Sequence, residues 1–305
     1  MFNLRQLKAF VAVVEKKSFT KAARILYMTQ PAISAQIKAL EERLEIQLLE
    51  RNDKNIMLTE AGSIFYEEAY KIISLYDGFV DIINDLKGIK RGKLCLAAST
   101  IPGEYVLPKI IGGFSKIYPG IELSLKIADT GMVADMLLKR TVDVGMIGAP
   151  IKDESLHLEE FLKDELVVIS APGVDSVNEL TVMDLAESDL VLREAESGTR
   201  MVFLKKLKEH GVDPKKLRVV MELGSTRAII TAVENGLGLS MVSRLAAADA
   251  LKLGSIREVK IKGATFERPL YLAWNRNKHQ SHGTKAFLRH VELLKCELIN
   301  RGTES

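Results

Sequence analysis

Two cysteines in 305 residues are too few for a disulfide framework, and neither has the C-x-x-C companion of a metal or redox site. Cys95 lies in an apolar strand-like run and Cys296 in a C-terminal helical pattern, so both read as free buried thiols. No stretch approaches the roughly 20 unbroken apolar residues that span a bilayer, which excludes a membrane-embedded function. The start, Met1-Phe2-Asn3-Leu4-Arg5, lacks a secretory signal's apolar core and cleavage site. The expected location is therefore the cytoplasm, which also disfavours an exported solute-binding protein. Catalytic signatures are missing: there is no G-x-S-x-G, no P-loop and no glycine triplet of a dinucleotide site. The five histidines form no recognisable nucleophilic or zinc arrangement. His279 and His282 are spaced H-x-x-H, but Asn277-Lys278 and Gln280-Ser281 make that stretch a polar loop. No catalytic residue, metal or cofactor is assigned, and an enzyme is disfavoured.

An apolar content of 47% over this length supports two domains or three. The net charge of +3 is small, but its placement is uneven. Residues 1 to 58 hold ten Lys/Arg against six Asp/Glu, a balance of +4, which leaves −1 for the rest. A basic N-terminal segment suits the phosphates of a duplex, which it binds with release of counterions.

Within that segment Leu4, Leu7, Phe10, Val11 and Val14 follow one helical face. Ser18 can cap a second helix, Thr20 to about Leu26, where Ala22 and Ala23 allow close helix approach. A turn at Tyr27-Met28 leads to Thr29 as the next cap, with Gln30-Pro31 in the first turn, where proline's missing N–H costs nothing. Ile33, Ile37, Leu40 and Leu44 then make one buried stripe and turn Pro31, Ser34, Ala35 and Lys38 outward. In a helix-turn-helix the start of this second motif helix enters the major groove, so Gln30 can pair with a base edge while Ser34 and Lys38 meet bases or phosphates. Residues 47–51 and 56–59 flank Asn52-Asp53-Lys54-Asn55, a turn-rich tetrad, and together read as a wing whose Arg51 and Lys54 face the backbone or minor groove.

The order Phe19-Thr20-Lys21-Ala22-Ala23-Arg24, Thr29-Gln30-Pro31-Ala32-Ile33-Ser34, Leu40-Glu41 and Leu58-Thr59-Glu60-Ala61-Gly62 closely resembles the LysR-type transcriptional regulators over essentially the whole chain. The resemblance implies that Thr29, Gln30, Pro31, Ser34, Lys38 and Arg51 face double-stranded promoter DNA. Ala35 stands where many relatives carry a longer polar residue, and Met57 where a wing arginine is frequent; both bear on base preference.

From Thr59 to about Leu86 there is no proline, and Phe65, Ala69, Ile72, Tyr76, Phe79, Ile83 and Leu86 repeat at spacings of 4 and 3. That is a heptad seam, widened by Tyr66, Ile73 and Val80. Gly78, costing about 1 kcal/mol in a helix interior, counts mildly against an ideal coil. The seam predicts pairing with a second copy, which would set the half-site spacing; the resemblance implies dimers and often tetramers. Gly88 and Gly92, bracketing Ile89-Lys90-Arg91, read as a hinge.

Beyond Lys93 apolar runs alternate with helical patterns, the mark of α/β organisation: Leu94–Ala98, Val106–Tyr118, Ile121–Ile127, Val133–Arg140 and Val144–Ile147. The pattern returns roughly 96 residues later, which predicts two similar lobes. Ligands in open α/β sheets bind beyond the strands' carboxyl ends, against helix N-termini. The equivalent loops carry Ser99-Thr100, Thr130, Ser197, Thr199 with Arg200, and Ser225-Thr226. Such a set suits a carboxylate or oxyanion, although capping explains any single hydroxyl. The chain is expected to cross between lobes near Asp164–Val168 and again near Arg268–Ala273, giving a hinge. This half resembles the family's effector domain, similar to bilobed periplasmic binding proteins of type 2, which implies an inter-lobe cleft around Ser99, Thr100, Thr130, Thr199, Ser225 and Thr226, with Ser243 a further position. The stretch Ala98 to Gly103 and the Ser197–Arg200 loop are also similar to family members linked with sulfur or selenium metabolism.

The expected organisation is a winged helix-turn-helix, all-α apart from its wing, at 1–58, a linker and dimerisation helix at 59–88, and a two-lobed α/β effector domain at 89–305. Its first lobe is expected at about 93–164 with 268–300, its second at about 165–267. The expected partners are DNA, a small anionic effector and further copies of the chain, with no membrane.

Overall fold

A computed structural model describes residues 2–52, 55–86, 92–173, 179–195 and 197–302. Lys54 of the expected wing tip, the expected hinge from Gly88 to Arg91, and Glu196 lie outside the described residues, as do the side chains of Arg51, Leu86 and Cys296. The chain divides into two compact units. One comprises 1–91 with 138–141 and 278–282, and the other the remainder.

Local capping defines the first unit. Asn3 and Gln6 form a reciprocal capping box that starts α1, Leu4–Lys16. Ser18 accepts from the Lys21 N–H to start α2, Phe19–Ile25, and Thr29 accepts from Ala32 N to start α3, Gln30–Leu44. Strands β1, Leu49–Asn52, and β2, Asn55–Leu58, pair antiparallel with Leu49 opposite Leu58 and Asn52 opposite Asn55. The hairpin is thus tighter than the expected tetrad, because Asn52 and Asn55 belong to the ladder while Gln47 and Leu48 precede it. Thr59 caps α4, Glu60–Leu86, by accepting from Gly62 N at 2.9 Å. Phe10, Ile33, Ile37, Leu40, Leu48 and Ala69 lie in one buried core.

Gly62 sits where α4 crosses the start of the wing, and a Cβ there would overlap the Leu48 carbonyl oxygen. Gly62→Ala is therefore expected to destabilise this unit by about 1–3 kcal/mol or more through overpacking. Urea denaturation followed by circular dichroism would show an earlier first transition, and an unshifted curve would contradict this account.

The second unit is built on one mixed sheet. Its elements are β3 (Gly92–Ala98), a π turn (Pro102–Val106), α5 (Leu107–Ile117), β4 (Ile121–Ile127), α6 (Thr130–Leu138), β5 (Val144–Ile147) and β6 (Leu156–Ser170). There follow β7 (Glu179–Leu180), α7 (Val182–Glu187), β8 (Leu190–Arg193), α8 (Gly198–Glu209), β9 (Val219–Leu223) and α9 (Thr226–Glu234). The remainder is β10 (Ser240–Ser243), α10 (Arg244–Leu253), β11 (Arg257–Ile261), β12 (Phe266–Asn275) and α11 (His282–Gly302). The strand order is β4-β3-β5-β12-β6-β11-β7, with β10 also beside β6 and the β8–β9 pair apart.

Both crossings are single long strands. The first half of β6 and the part of β12 from Leu270 onward supply Phe161, Leu270 and Leu272 to one core with Leu96, Phe114 and Phe287. Beyond Asp164, β6 alternates: Leu166 and Val168 enter one second-lobe core, and Val167 and Ile169 the other. A strand buried on both faces must be apolar throughout that stretch. At the changeover Arg268 stands opposite Asp164 in the β6–β12 ladder.

Candidate functional site

In the first unit the helix start at Thr29 leaves Gln30, Pro31, Ala35 and Lys38 exposed on α3, with Ser34 half-buried beside them. Lys38 meets Glu42 one turn on at 3.7 Å, a solvent-facing pair that leaves the ammonium accessible. Glu41, three residues on from Lys38, accepts from the Leu48 and Leu49 N–H groups at 2.9 and 3.1 Å and so fastens α3 to the root of the wing. Tyr27, in the left-handed region at φ 54°, is 97% exposed in the turn that leads into this face. The side presented outward is thus polar, cationic and held from below by an apolar stripe.

In the second unit a cavity of about 40 Å³ is lined by Ser99, Thr100, Thr130, Gly148, Ser197, Gly198 and Thr199, with Asp129, Arg193, Glu194 and Arg268. Segments at four strand ends build it, Gly148 after β5 being one of them. After β3, the Ser99 hydroxyl accepts from Gly148 N at 3.2 Å rather than capping the helical turn that follows it. After β4, exposed Asp129 accepts from Met132 N at 2.7 Å and so caps α6 at the cavity's mouth. After β8, Ser197 is the N-cap of α8, yet its buried hydroxyl makes no capping bond. The first-turn N–H groups of α8 have no acceptor within their own helix and carry its partial positive charge.

Two arginines reach the same cavity. Arg193, 7% exposed, forks onto Glu194 through Nε and Nη2 at 2.7 and 2.6 Å and donates from Nη1 to Thr226 Oγ1. Burial pushes the Glu194 carboxyl up, but hydrogen bonds from Arg193 and the backbone, with the Arg193 and Arg200 charges, hold it below the usual carboxylate range. Arg268, 5% exposed, is joined to Asp164 by Nε and Nη2, both 2.9 Å from Oδ2. Burial weakens the hold of Arg268 on its proton, Asp164 opposes this, and the Arg193 charge adds to it.

Residues 4–63 match the family described as bacterial regulatory helix-turn-helix protein, lysR family, and residues 87–294 match the LysR substrate binding domain. The chain belongs to the LysR family of transcriptional regulators. A probable RuBisCO transcriptional regulator of Cyanidioschyzon merolae is 36% identical over 95% of this chain and 97% of its own length. One from Phaeodactylum tricornutum is 33% identical over 98% and 99%. Among solved structures, a full-length OxyR variant from Pseudomonas aeruginosa aligns with TM-score 0.74 at 20% identity, over 96% of this chain and 95% of that one. CbnR in complex with its target DNA aligns with TM-score 0.71 at 24% identity, over 95% and 99%. LysR-type proteins are DNA-binding regulators with an effector-binding domain, not enzymes. Among the described residues no helix is long and apolar enough to cross a membrane, and no group of His, Cys, Asp or Glu is arranged to hold a metal ion.

Of the cleft residues expected in this LysR-type chain, Ser99, Thr100, Thr130, Ser197 and Thr199 are brought together. Four do not line the cavity. Arg200 is turned to Glu222 and the Arg193 carbonyl. Ser225 is exposed and caps α9 through Ala228 N. Thr226 stands behind Arg193, and fully buried Ser243 donates to Asp164 at 2.5 Å while capping α10. Arg193, Arg268 and Gly148 were not anticipated. Arg193 ends an apolar run, Leu190-Val191-Leu192, and that strand position before a hydroxyl-rich loop was the available signal.

The expected seam on α4 is divided. Ala69 is 1% exposed in the core of its own unit, and Phe65 packs edge-on against Phe10 at 5.4 Å. Ile83 is half-buried, whereas Ile72, Leu75, Tyr76, Phe79 and Val80 are exposed.

Proposed function

We propose that this regulator reads its operator through Thr29, Gln30, Pro31, Ser34 and Lys38, with Arg51 and Lys54 on the backbone or minor groove, and that a small anion in the cleft sets the outcome. The observation that carries the effector reading is the meeting, in one cavity, of two buried guanidiniums with the first turn of α8. The hydroxyls of Ser99, Thr100, Thr130, Ser197 and Thr199 supply orientation, while Arg200, Thr226 and Ser243 act from behind by holding charged residues and Ser225 by capping α9. The head covers 1–58, the linker helix 59–88 and the effector domain 89–305. Pairing of two copies, as dimer or tetramer, uses the exposed Ile72, Tyr76 and Phe79 with half-buried Ile83, because Phe65 and Ala69 already serve their own head. That much exposed apolar surface on one helix face calls for a cover.

The test is a gel-shift series on fragments flanking the chain's own gene. Gln30→Ala should relax base preference by about 1–3 kcal/mol at its position, whereas Arg51→Ala should weaken binding across sequences and flatten the salt slope by about one. Sulfate, phosphate and small carboxylates should alter the shift, and Thr199→Ala should blunt that response with basal binding preserved. Equal loss of basal binding and response in Thr199→Ala would sink this division of labour.

A further inference from the structure

Arg268 is only partly used by its ion pair. Nε and Nη2 serve Asp164, whereas Nη1 has no hydrogen-bond acceptor among the described residues. Nη1 opens onto the cavity, where a bound anion would give it a charge-assisted hydrogen bond, roughly twice as strong as one between neutral groups. Its surroundings are built for an anion. A Cβ at Gly148 would lie 3.4 Å from Nη1, and one at Gly198 3.3 Å from it. Neither glycine has the positive φ that would explain glycine by backbone conformation; here their value is the open space they leave beside the guanidinium. The same space faces the first turn of α8, which Gly198 opens. The hydroxyls of Thr100, Thr130, Ser197 and Thr199 line it and make no hydrogen bond among the described residues.

The other charges are already engaged. Arg193 and Glu194 close on each other, and Asp129 caps α6 at the exposed mouth. The cavity of about 40 Å³ exceeds one water, which needs about 10–15 Å³ on this scale, by roughly threefold. That leaves room for a group the size of a sulfate, a phosphate or a carboxylate.

We propose that Arg268 Nη1 anchors one oxyanion or carboxylate group in this cleft, and that the opposite edge of the same guanidinium, through Asp164, couples occupancy to the β6–β12 strand pair joining the lobes. This rests on the anionic-effector reading above and names its anchor. An anion at Nη1 draws on the charge that otherwise serves Asp164 alone, so binding and the strength of the interstrand pair are linked.

Calorimetric titration of the full chain with sodium sulfate, phosphate and acetate, at constant ionic strength set with chloride, tests it. The wild-type chain is expected to bind at least one of them. Gly148→Ala and Gly198→Ala, which keep the ion pair and fill the space at Nη1, are expected to lower that affinity at least tenfold with an unchanged thermal midpoint in the absence of anion. Asp164→Asn, which frees Arg268 of its competing carboxylate, is expected to raise it several-fold; a merely structural pair predicts a loss. Glycerol 3-phosphate separates a free anion from the head of a larger ligand, since binding at least as tight as phosphate marks the latter. No heat with any anion on the wild-type chain would overturn the anionic-effector reading and the anchor together. Wild-type binding that survives both glycine variants but is lost in Thr199→Ala would leave that reading standing and overturn the anchor alone.

Discussion

Arg268→Met is expected to destabilise the second unit by about 3–5 kcal/mol, the cost of leaving a buried carboxylate without its counter-charge. Asp164 is 1% exposed, its remaining donor is the Ser243 hydroxyl, and both lie where β6 and β12 pass from one lobe's core to the other's. The methionine side chain fills much of the lost volume, so the loss measures charge and hydrogen bonding rather than a cavity. Adding Asp164→Leu should recover most of it, because a buried ion pair replaced by apolar groups of similar size is often neutral. The measurement is urea denaturation of the single and double variants. A double variant as unstable as Arg268→Met would show that the cost arises elsewhere, for example from a packing role of the guanidinium plane.

Phe10→Ala should act on the other unit with comparable force. Phe10 is fully buried at the centre of the α1, α3 and α4 contact, and its ring meets Phe65 edge-on at 5.4 Å. Truncating such a ring costs about 3–5 kcal/mol in transfer and cavity terms. A head of this size has little to spare, since small domains bury a smaller share of their surface. The expected result is loss of the operator shift and of part of the helical circular dichroism, with anion binding by the cleft retained. Retained operator binding with a thermal midpoint moved by only a degree or two would contradict the central role given to this ring.

The two variants should also separate the units. Arg268→Met is expected to impair anion binding first, and Phe10→Ala DNA binding first. That asymmetry follows from where each side chain is buried, in the second core set and the first respectively.

The helices of the head were legible because their signals are local. Asn3, Ser18 and Thr29 cap the residues three positions on, and the stripe Ile33, Ile37, Leu40 repeats within one turn of itself. The alternation of strands and helices in the second half was legible for the same reason. The turn of the wing was read one residue too long at each end, because asparagine favours turns but Asn52 and Asn55 take up ladder positions. Val106 to Tyr118 was read as one helix and holds α5, Leu107–Ile117, whereas the π turn at Pro102–Val106 before it carries no local signal of its winding. That turn sets Ile101 and Tyr105 against the second lobe's core, a placement no local period reports.

Sequence alone therefore determined the elements, the outward face of α3 and five of the hydroxyl-bearing cleft positions, since each depends on neighbours within about one helical turn or one strand alternation. Tertiary structure decided the rest. Asp164 meets Arg268 across 104 residues, Arg193 meets Thr226 across 33, and Ala69 is drawn from the seam into its own head. Those outcomes follow from strand register and helix packing over long separations, where hydrophobic pattern constrains which face is buried but not which charged side chain finds which acceptor.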